Sequence, residues 1–279
     1  MHTPPSWDRV IDLALDEDLS SGDLTTEACI AADAKAVAHA VCRKDVVACG
    51  GPLFARVFER VDPACAVELH VPDGARAAPS ARLWTVRGPA RSVLMAERTA
   101  LNLVQRACGV ATLTRRYVDA LAKGAKTRIT DTRKTSPGMR AIERWAVRMG
   151  GGHNHRDDLG SAVLIKDNHI VAAGGITAAI DRARARAPHT TKIECEVTSL
   201  AELDEAPAAR ADIVMLDNMS TDLVREAVAR TAGRALLEAS GGITLERVTE
   251  LSAAGVDAIS VGALTHSAPA ADIGLDFEG

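Results

Sequence analysis

The sequence predicts an α/β protein whose C-terminal half forms a closed or nearly closed barrel of parallel strands. Short apolar runs carry that reading: "TRIT", "AVLI", "KIECEV", "DIVML", "ALLEA" and "AISV" follow one another, each ending in polar or glycine residues. Between them lie helix-like stretches such as "TAAIDRARARA", "STDLVREAVART" and "TLERVTELSAAG". Strand–helix alternation at this spacing calls for parallel strands joined by right-handed crossovers. No GxGxxG follows the first strand, which weighs against an open dinucleotide-binding sheet.

Composition sets the outer limits. The chain has 279 residues, room for one large domain or one and a half. Aromatics are only 3 %, so the core is assembled from many small aliphatic contacts. A net charge of −4 gives no bulk electrostatic case for nucleic-acid binding. Cys29, Cys42, Cys49, Cys65, Cys108 and Cys195 contain no CxxC pair, which points to reduced thiols rather than a disulfide framework or zinc ribbon. The N-terminal "MHTPPSWDRVIDLALDEDL" is acidic where a signal peptide needs a basic head, and no apolar run reaches transmembrane length. The expectation is a soluble cytoplasmic protein.

Taken in order, Trp7, Val10, Ile11, Leu13 and Ala14 fall at helical spacing. The runs "AKAVAHAVCRKDVVACG" and "AVELHVPDGARAAPSARLWTVRG" alternate like strands and break at Gly, Pro and Asp, with a turn at Pro72-Asp73-Gly74. A small antiparallel sheet follows from them. Residues 89–123 lack internal proline and read as helix, with Gly109 a candidate break into two and Gly124 a stop. The repeated strand–helix units come next.

In such a barrel, reactive groups collect at the C-terminal strand ends. Those ends here carry Asp131-Thr132-Arg133-Lys134, Lys166-Asp167-Asn168-His169, Glu194-Cys195-Glu196, Asp217-Asn218, Ser240-Gly241-Gly242 and Gly262. In "KIECEV", Lys192, Glu194 and Glu196 share one face and Ile193, Cys195 and Val197 the other. The outer face of a barrel strand packs on helices, so the charged face is expected to point inward; an exposed edge strand has the same period. The glycine-rich ends "EASGGIT" and "VGALTH" allow backbone N–H groups to approach a phosphate, although glycine turns also end strands for steric reasons alone.

Between Lys126 and His169 stand nine Lys or Arg against five acids, a local excess of cations in an acidic chain. Arg140, Arg144 and Arg148 repeat every four residues and read as a solvated helix face. Arg133, Lys134, Arg156 and Lys166 do not fit that explanation and suit a substrate with several negative charges. "GGGHNHRDD", Gly150–Asp158, has the residue types of a metal site. Yet the neighbouring Arg156, Arg133 and Lys134 would repel a cation, so the segment reads as an anion binder, with its glycines letting the loop fold over a ligand.

The motifs "EDLSSGDLTT", "ERTALNLVQRACGVAT", "TDTRKTSPGMRAIERWAVRMGGGHNHR", "LIKDNHI", "ECEV", "MLDN", "EASGGI" and "VGALTH", in this order from about Asp16 to the C-terminus, resemble the quinolinate phosphoribosyltransferase family. The resemblance implies an N-terminal α/β sandwich, residues 1–110 rejoined by 266–279, and an incomplete TIM-like α/β barrel over 111–265. It implies transfer of a phosphoribosyl group from phosphoribosyl pyrophosphate to quinolinate with decarboxylation, giving nicotinate mononucleotide, pyrophosphate and CO2, with Mg2+ on the sugar pyrophosphate. By position, Arg133, His155 and Arg156 resemble the carboxylate binders. Arg98 resembles the arginine that reaches a neighbouring subunit's site, so a homodimer is implied. Lys134 and Lys166 fall where the family contacts substrate and phosphates. Glu196 and Asp217 resemble the ribose and Mg2+-pyrophosphate partners, while Ser240, Gly241, Gly242, Gly262 and His266 match the 5-phosphate loops.

One stretch departs from the family. After "NHR" the chain runs Asp157-Asp158-Leu159-Gly160-Ser161, where the family has a hydrophobic residue and glycine before Leu and then Asp. The added acids either weaken anion binding or face solvent. Two other readings compete: a molybdenum-uptake-associated branch of the same fold, which has lost cationic residues that "TDTRKT" and "NHR" retain, and a non-catalytic phosphate-ligand barrel, which would leave the cationic cluster unexplained.

Overall fold

The computed structural model describes residues 5–278. In chain order the elements are α1 (Pro5–Leu19), α2 (Leu24–Cys29), β1 (Lys35–Cys42), β2 (Val46–Val47), α3 (Gly51–Val61), β3 (Ala66–Leu69), β4 (Arg76–Ala77), β5 (Arg82–Pro89), α4 (Ala90–Asp119), β6 (Arg128–Thr130), α5 (Arg140–Met149) and β7 (Val163–Ile165). The remainder are α6 (Asp167–Ala173), α7 (Ile176–Arg186), β8 (Ile193–Val197), α8 (Leu200–Ala208), β9 (Ile213–Asp217), α9 (Thr221–Thr231), β10 (Leu236–Ser240), α10 (Leu245–Ala254), β11 (Ala258–Ser260), α11 (Ala263–His266) and β12 (Ile273–Phe277). The chain divides into two compact units. One comprises residues 1–115, 135–151 and 264–279, and the other 116–134 and 152–263.

The first unit is built on an antiparallel sheet in the order β12-β1-β5-β3, with β2 and β4 paired separately. Its core holds Phe54, Phe58 and Trp84, with ring centroids 4.8 and 5.1 Å apart. The turn predicted at Pro72–Gly74 works beyond its own chain segment: Asp73 accepts from the Gly50 and Gly51 amides, both at 3.0 Å, and from Trp145 Nε1 at 3.1 Å. That last bond explains why residues 135–151, expected within the barrel, group with the first unit. The Trp145 indole also meets the Trp7 ring edge-on at 5.8 Å.

Three local readings change in this unit. The long helix α4 runs through Gly109 without a break, because this glycine answers a steric demand: an added Cβ would lie 2.0 Å from the Pro269 carbonyl oxygen. Arg144 is buried rather than solvated, since α5 turns Ile142, Glu143, Ala146 and Val147 inward along with it. Arg148 stays exposed and stacks 5.3 Å from the Trp145 ring. On α1, Trp7 and Ile11 are buried, but Leu13 is 70 % exposed.

The second unit is the parallel barrel-like sheet, ordered β6-β11-β10-β9-β8-β7. Its strands are short, and Ile193, Cys195 and Val197 on β8 are fully buried against helices, so the charged face of that strand does turn inward. Register places Glu196 beside Met215 and Asp217 beside Ser240, which brings the C-terminal ends of β8, β9 and β10 level. Ser199, Ser220 and Thr244 cap the helices that follow these strands, each side chain accepting from an amide three residues on. The sheet ends at β6 and β7, so the barrel is incomplete. The segment beginning at Gly152 lies along the free side of β6, where Thr130 and His153 form a parallel bridge.

Candidate active site

Asp131 shapes the site from the end of β6. It is fully buried, and its carboxylate accepts from the His155 amide at 2.7 Å and from Asn154 Nδ2 at 2.6 Å. The backbone adds His153 N to Ile129 O at 2.8 Å and Asp131 N to His153 O at 3.1 Å. These bonds dock a glycine-led segment as a short substitute stave and carry His155 and Arg156 to the barrel's inner side.

A cavity of about 570 Å³ opens at the C-terminal strand ends. Thr132, Arg133, Lys134, His155, Arg156, Lys166, Glu196, Asp217, Asn218 and Ser240-Gly241-Gly242 line it, with Leu164, Met215 and Ser260. Ten of the sequence-selected residues thus meet in one place. Arg98 stands exposed on α4 and His266 exposed on α11; with Gly262, just after β11, they are not among the lining residues.

The cations crowd one another. Arg156 has its pKa lowered by burial and by the Arg133 charge, with Glu194 acting oppositely, so an entering anion would relieve repulsion already present. Arg156 Nη1 donates to the Ala162 carbonyl at 3.1 Å, which steadies the guanidinium. Lys166 Nζ is paired with Glu196 Oε2. Asn218, at φ +54°, donates from Nδ2 to Asp217 Oδ2 at 2.8 Å. Its amide donates to the Ser240 carbonyl at 3.0 Å, joining the ends of β9 and β10. Gly241 and Gly242 follow at φ +87° and +56°, backbone that favours glycine, and both line the cavity.

His155 lies deeper. Its Nε2 stands 3.1 Å from Glu194 Oε2 and 3.4 Å from Glu238 Oε1. Burial lowers the pKa of His155, while the Glu194 and Glu238 carboxylates beside it raise it. Burial raises that of Glu194. In a group this tightly coupled the extra proton belongs to the cluster. Geometry decides which ring atom carries hydrogen: Nδ1 accepts the Arg156 N–H at 2.8 Å, so it is unprotonated and the ring proton is on Nε2. The three residues are close enough to hold a metal, with ligand atoms within 4.8 Å of one another. The donor set does not fit one, because a neutral ring bound through Nε2 would carry its proton on Nδ1, against the Arg156 N–H that Nδ1 accepts here.

Glu194 was visible on the inward face of "KIECEV", whereas Glu238 was missed, although it shares its inward face with Ser240 two residues on. Ser260, which donates to Glu238 Oε1, and Thr130, 2.9 Å from Ser260 Oγ, were also missed, since a lone hydroxyl in an apolar strand gives no signal of its own. The departing loop is exposed: Ser161 Oγ accepts from the Asp157 and Asp158 amides at 2.9 and 3.2 Å, and Asp158 Oδ1 accepts from Gly160 N at 2.9 Å. Asp158 is therefore engaged in its own turn.

A parallel barrel with cations, two inward carboxylates and a glycine pair at its C-terminal strand ends is the arrangement of an enzyme site suited to an anionic substrate. Comparison with known proteins makes the class specific. The family profile described as quinolinate phosphoribosyl transferase, C-terminal domain, matches residues 110–276, and the N-terminal domain profile matches 23–108. The nicotinate-nucleotide pyrophosphorylase (carboxylating) of Mycobacterium leprae is 44 % identical over 95 % of this chain and 94 % of its own length. The protein described as the probable enzyme of the same name from Bacillus subtilis is 41 % identical over 93 % of this chain and 89 % of its own. The structure of the nicotinate-nucleotide pyrophosphorylase from Francisella tularensis superposes with a TM-score of 0.94 at 38 % identity, covering 99 % of this chain and 98 % of that one. The chain belongs to the quinolinate phosphoribosyltransferase family.

Proposed function

We propose that the cavity at the C-terminal strand ends binds quinolinate on its cationic side and phosphoribosyl pyrophosphate across Lys134, Lys166, Glu196, Asp217 and the Ser240–Gly242 loop. The family's activity is quinolinate phosphoribosyl transfer in de novo NAD biosynthesis, catalysed by nicotinate-nucleotide diphosphorylase (carboxylating), a pentosyltransferase. One observation carries the residue assignment: guanidinium, ammonium and carboxylate groups and a glycine pair from five strand ends and the docked segment line a single cavity.

Quinolinate has two adjacent carboxylates, and Arg133 and Arg156 offer two forked donors, with His155 beside them. Held there, the ring nitrogen faces the anomeric carbon of the sugar. Its lone pair forms the new C–N bond as the C–O bond to pyrophosphate breaks through an oxocarbenium-like state, and Lys134 and Lys166 offset charge on the departing group. The ring nitrogen, now cationic, stabilises the electron pair left on the adjacent ring carbon when its carboxylate departs as CO2, and that carbon then takes up a proton. Glu196 and Asp217 suit the ribose hydroxyls. No Ser or Cys nucleophile is required.

Glu196 and Asp217 are also the residues that would hold Mg2+. Their oxygen donors fit this ion, and the Lys166 charge on Glu196 favours attachment mainly through substrate phosphates. Bound there, the ion would neutralise the pyrophosphate. Gly262 and His266 are proposed to extend the 5-phosphate site, and Arg98 to complete the site of a second subunit in a homodimer. A cytoplasmic location is in keeping with the free cysteines.

The test is product formation from quinolinate and phosphoribosyl pyrophosphate, with nicotinate as control substrate. Arg133→Ala and Lys134→Ala are each expected to abolish turnover, and wild-type turnover by either would overturn the assignment. For Arg98, mixing inactive Arg98→Ala and Lys134→Ala proteins should restore part of the activity if sites are shared between subunits.

A further inference from the structure

We infer that Glu194 and Glu238 are positioning residues that lock the His155 ring as its Nε2–H tautomer and, through it, fix the Arg156 main chain at the quinolinate end of the cavity. The inference rests on the site reading above. Three observations lead to it, beginning with where His155 stands. It lines the 570 Å³ cavity, and it also lines a second cavity of about 640 Å³ near the N-terminal strand ends, bordered by Lys126, Arg128, Lys192 and Asp257. Arg156 borders both as well. The pair forms part of the partition between the two cavities, where hydrogen bonds decide how the ring is turned.

The second observation is that those bonds use both ring nitrogens. Nε2 points between Glu194 and Glu238, which reach it from β8 and β10, two strands separated by β9. Nδ1 accepts the amide hydrogen of Arg156 at 2.8 Å. A ring flip would leave that amide facing Cδ2, and a change of tautomer would place an N–H against it. The ring therefore transmits its orientation to the backbone of the residue whose guanidinium borders the cavity.

Third, the two carboxylates are costly where they are. Glu194 and Glu238 are 4 % and 5 % exposed, and Glu194 Oε1 has no hydrogen-bond partner. Glu238 is itself steadied from behind, by Ser260 and then Thr130, so a polar chain of four residues ends on Nε2. Such an arrangement sets direction.

The experiment combines kinetics and spectroscopy on the intact enzyme. The long-range 1H–15N spectrum of the wild type should show His155 with Nε2 protonated and Nδ1 not; the reverse pattern, or two protonated nitrogens at neutral pH, overturns the inference. Glu194→Ala and Glu238→Leu should each raise the quinolinate KM by tenfold or more while the KM for phosphoribosyl pyrophosphate changes less than twofold. Glu194→Gln and Glu238→Gln, which keep an acceptor for Nε2–H, should recover most of that loss and also serve if the apolar variants do not fold. In a His155→Ala background, removal of the Glu194 carboxylate should add nothing; a further loss equal to that in the wild type overturns the inference. If the site reading itself is at fault, Arg156→Ala will leave the quinolinate KM unchanged while the tautomer stands. If only the inference fails, Arg156→Ala will raise it and the glutamate variants will not.

Discussion

Gly241→Ala and Gly242→Ala separate two roles that a glycine pair can play in a phosphate loop. Both positions have positive φ, +87° and +56°, so an alanine at either one meets a backbone penalty of about 1 kcal/mol. Only one of them also meets a neighbour. A Cβ at Gly241 would lie 2.2 Å from Asn218 Oδ1, 2.4 Å from its Cγ and 2.9 Å from its backbone nitrogen, whereas at Gly242 nothing lies within 4 Å. The Asn218 side chain could swing away, at the cost of its 2.8 Å bond to Asp217, but its backbone nitrogen is tied to Ser240 and cannot. Adding a lost hydrogen bond of about 1 kcal/mol and local displacement of similar size brings Gly241→Ala to about 3 kcal/mol. At about 1.4 kcal/mol per decade, kcat/KM for phosphoribosyl pyrophosphate should fall on the order of 100-fold in Gly241→Ala and about fivefold in Gly242→Ala. Steady-state assays at saturating quinolinate, with circular dichroism to confirm folding, read both values. Equal losses in the two variants would refute the steric argument, and an unchanged KM in folded Gly241→Ala would refute the loop's role.

Three further outcomes follow from the first unit. Glu143 is fully buried, receives Arg106 Nε and Nη2 at 3.0 and 2.7 Å and accepts the Ser136 amide at 3.1 Å, so Glu143→Ala should cost roughly 3–5 kcal/mol in urea unfolding. Gly109→Ala should destabilise by at least about 2 kcal/mol although alanine is the better helix former, because its Cβ meets the Pro269 carbonyl; a gain in melting temperature would contradict the packing. Arg56 holds Asp8 below the usual carboxylate pKa, so this contact contributes stability above about pH 3.8 and loses it as pH falls through the lowered value. The protection factors of α1 amides should therefore fall in acid, with a smaller acid-induced change in Arg56→Gln.

The legible parts of this protein are those in which one period fixes both structure and chemistry. Alternation in "KIECEV" gave the strand and aimed Glu194 and Glu196 inward, and the same alternation was present for Glu238 and Ser240 without being used. Strand ends were legible because charged residues interrupt apolar runs there. What stayed hidden depends on chain segments meeting across long separations. Gly109 is needed because Pro269, 160 residues away, approaches it, and this contact leaves no mark at Gly109 except the glycine itself. Arg144 repeats at the spacing of a solvated face, yet α5 turns it inward beside Glu143. The docked segment 153–156 has no strand period, and its place beside β6 comes from the Asp131 carboxylate.

That docking explains a feature of the chemistry. In a regular strand successive side chains point to opposite faces, so only one of two neighbouring residues could border an enclosed cavity. Here both His155 and Arg156 do so. The segment can turn both inward because its backbone is anchored through a side chain: Asp131 takes the His155 amide that a neighbouring strand would otherwise claim. The fully buried aspartate is costly by itself, and short hydrogen bonds such as those from His155 N and Asn154 Nδ2 offset that cost. An irregular stave in an otherwise regular barrel thus places adjacent residues in the same partition. Asp131→Ala would leave the His155 amide without its acceptor, so its predicted effect is on quinolinate KM before stability; a variant that lost stability while retaining the wild-type KM would show that Asp131 supports the barrel alone.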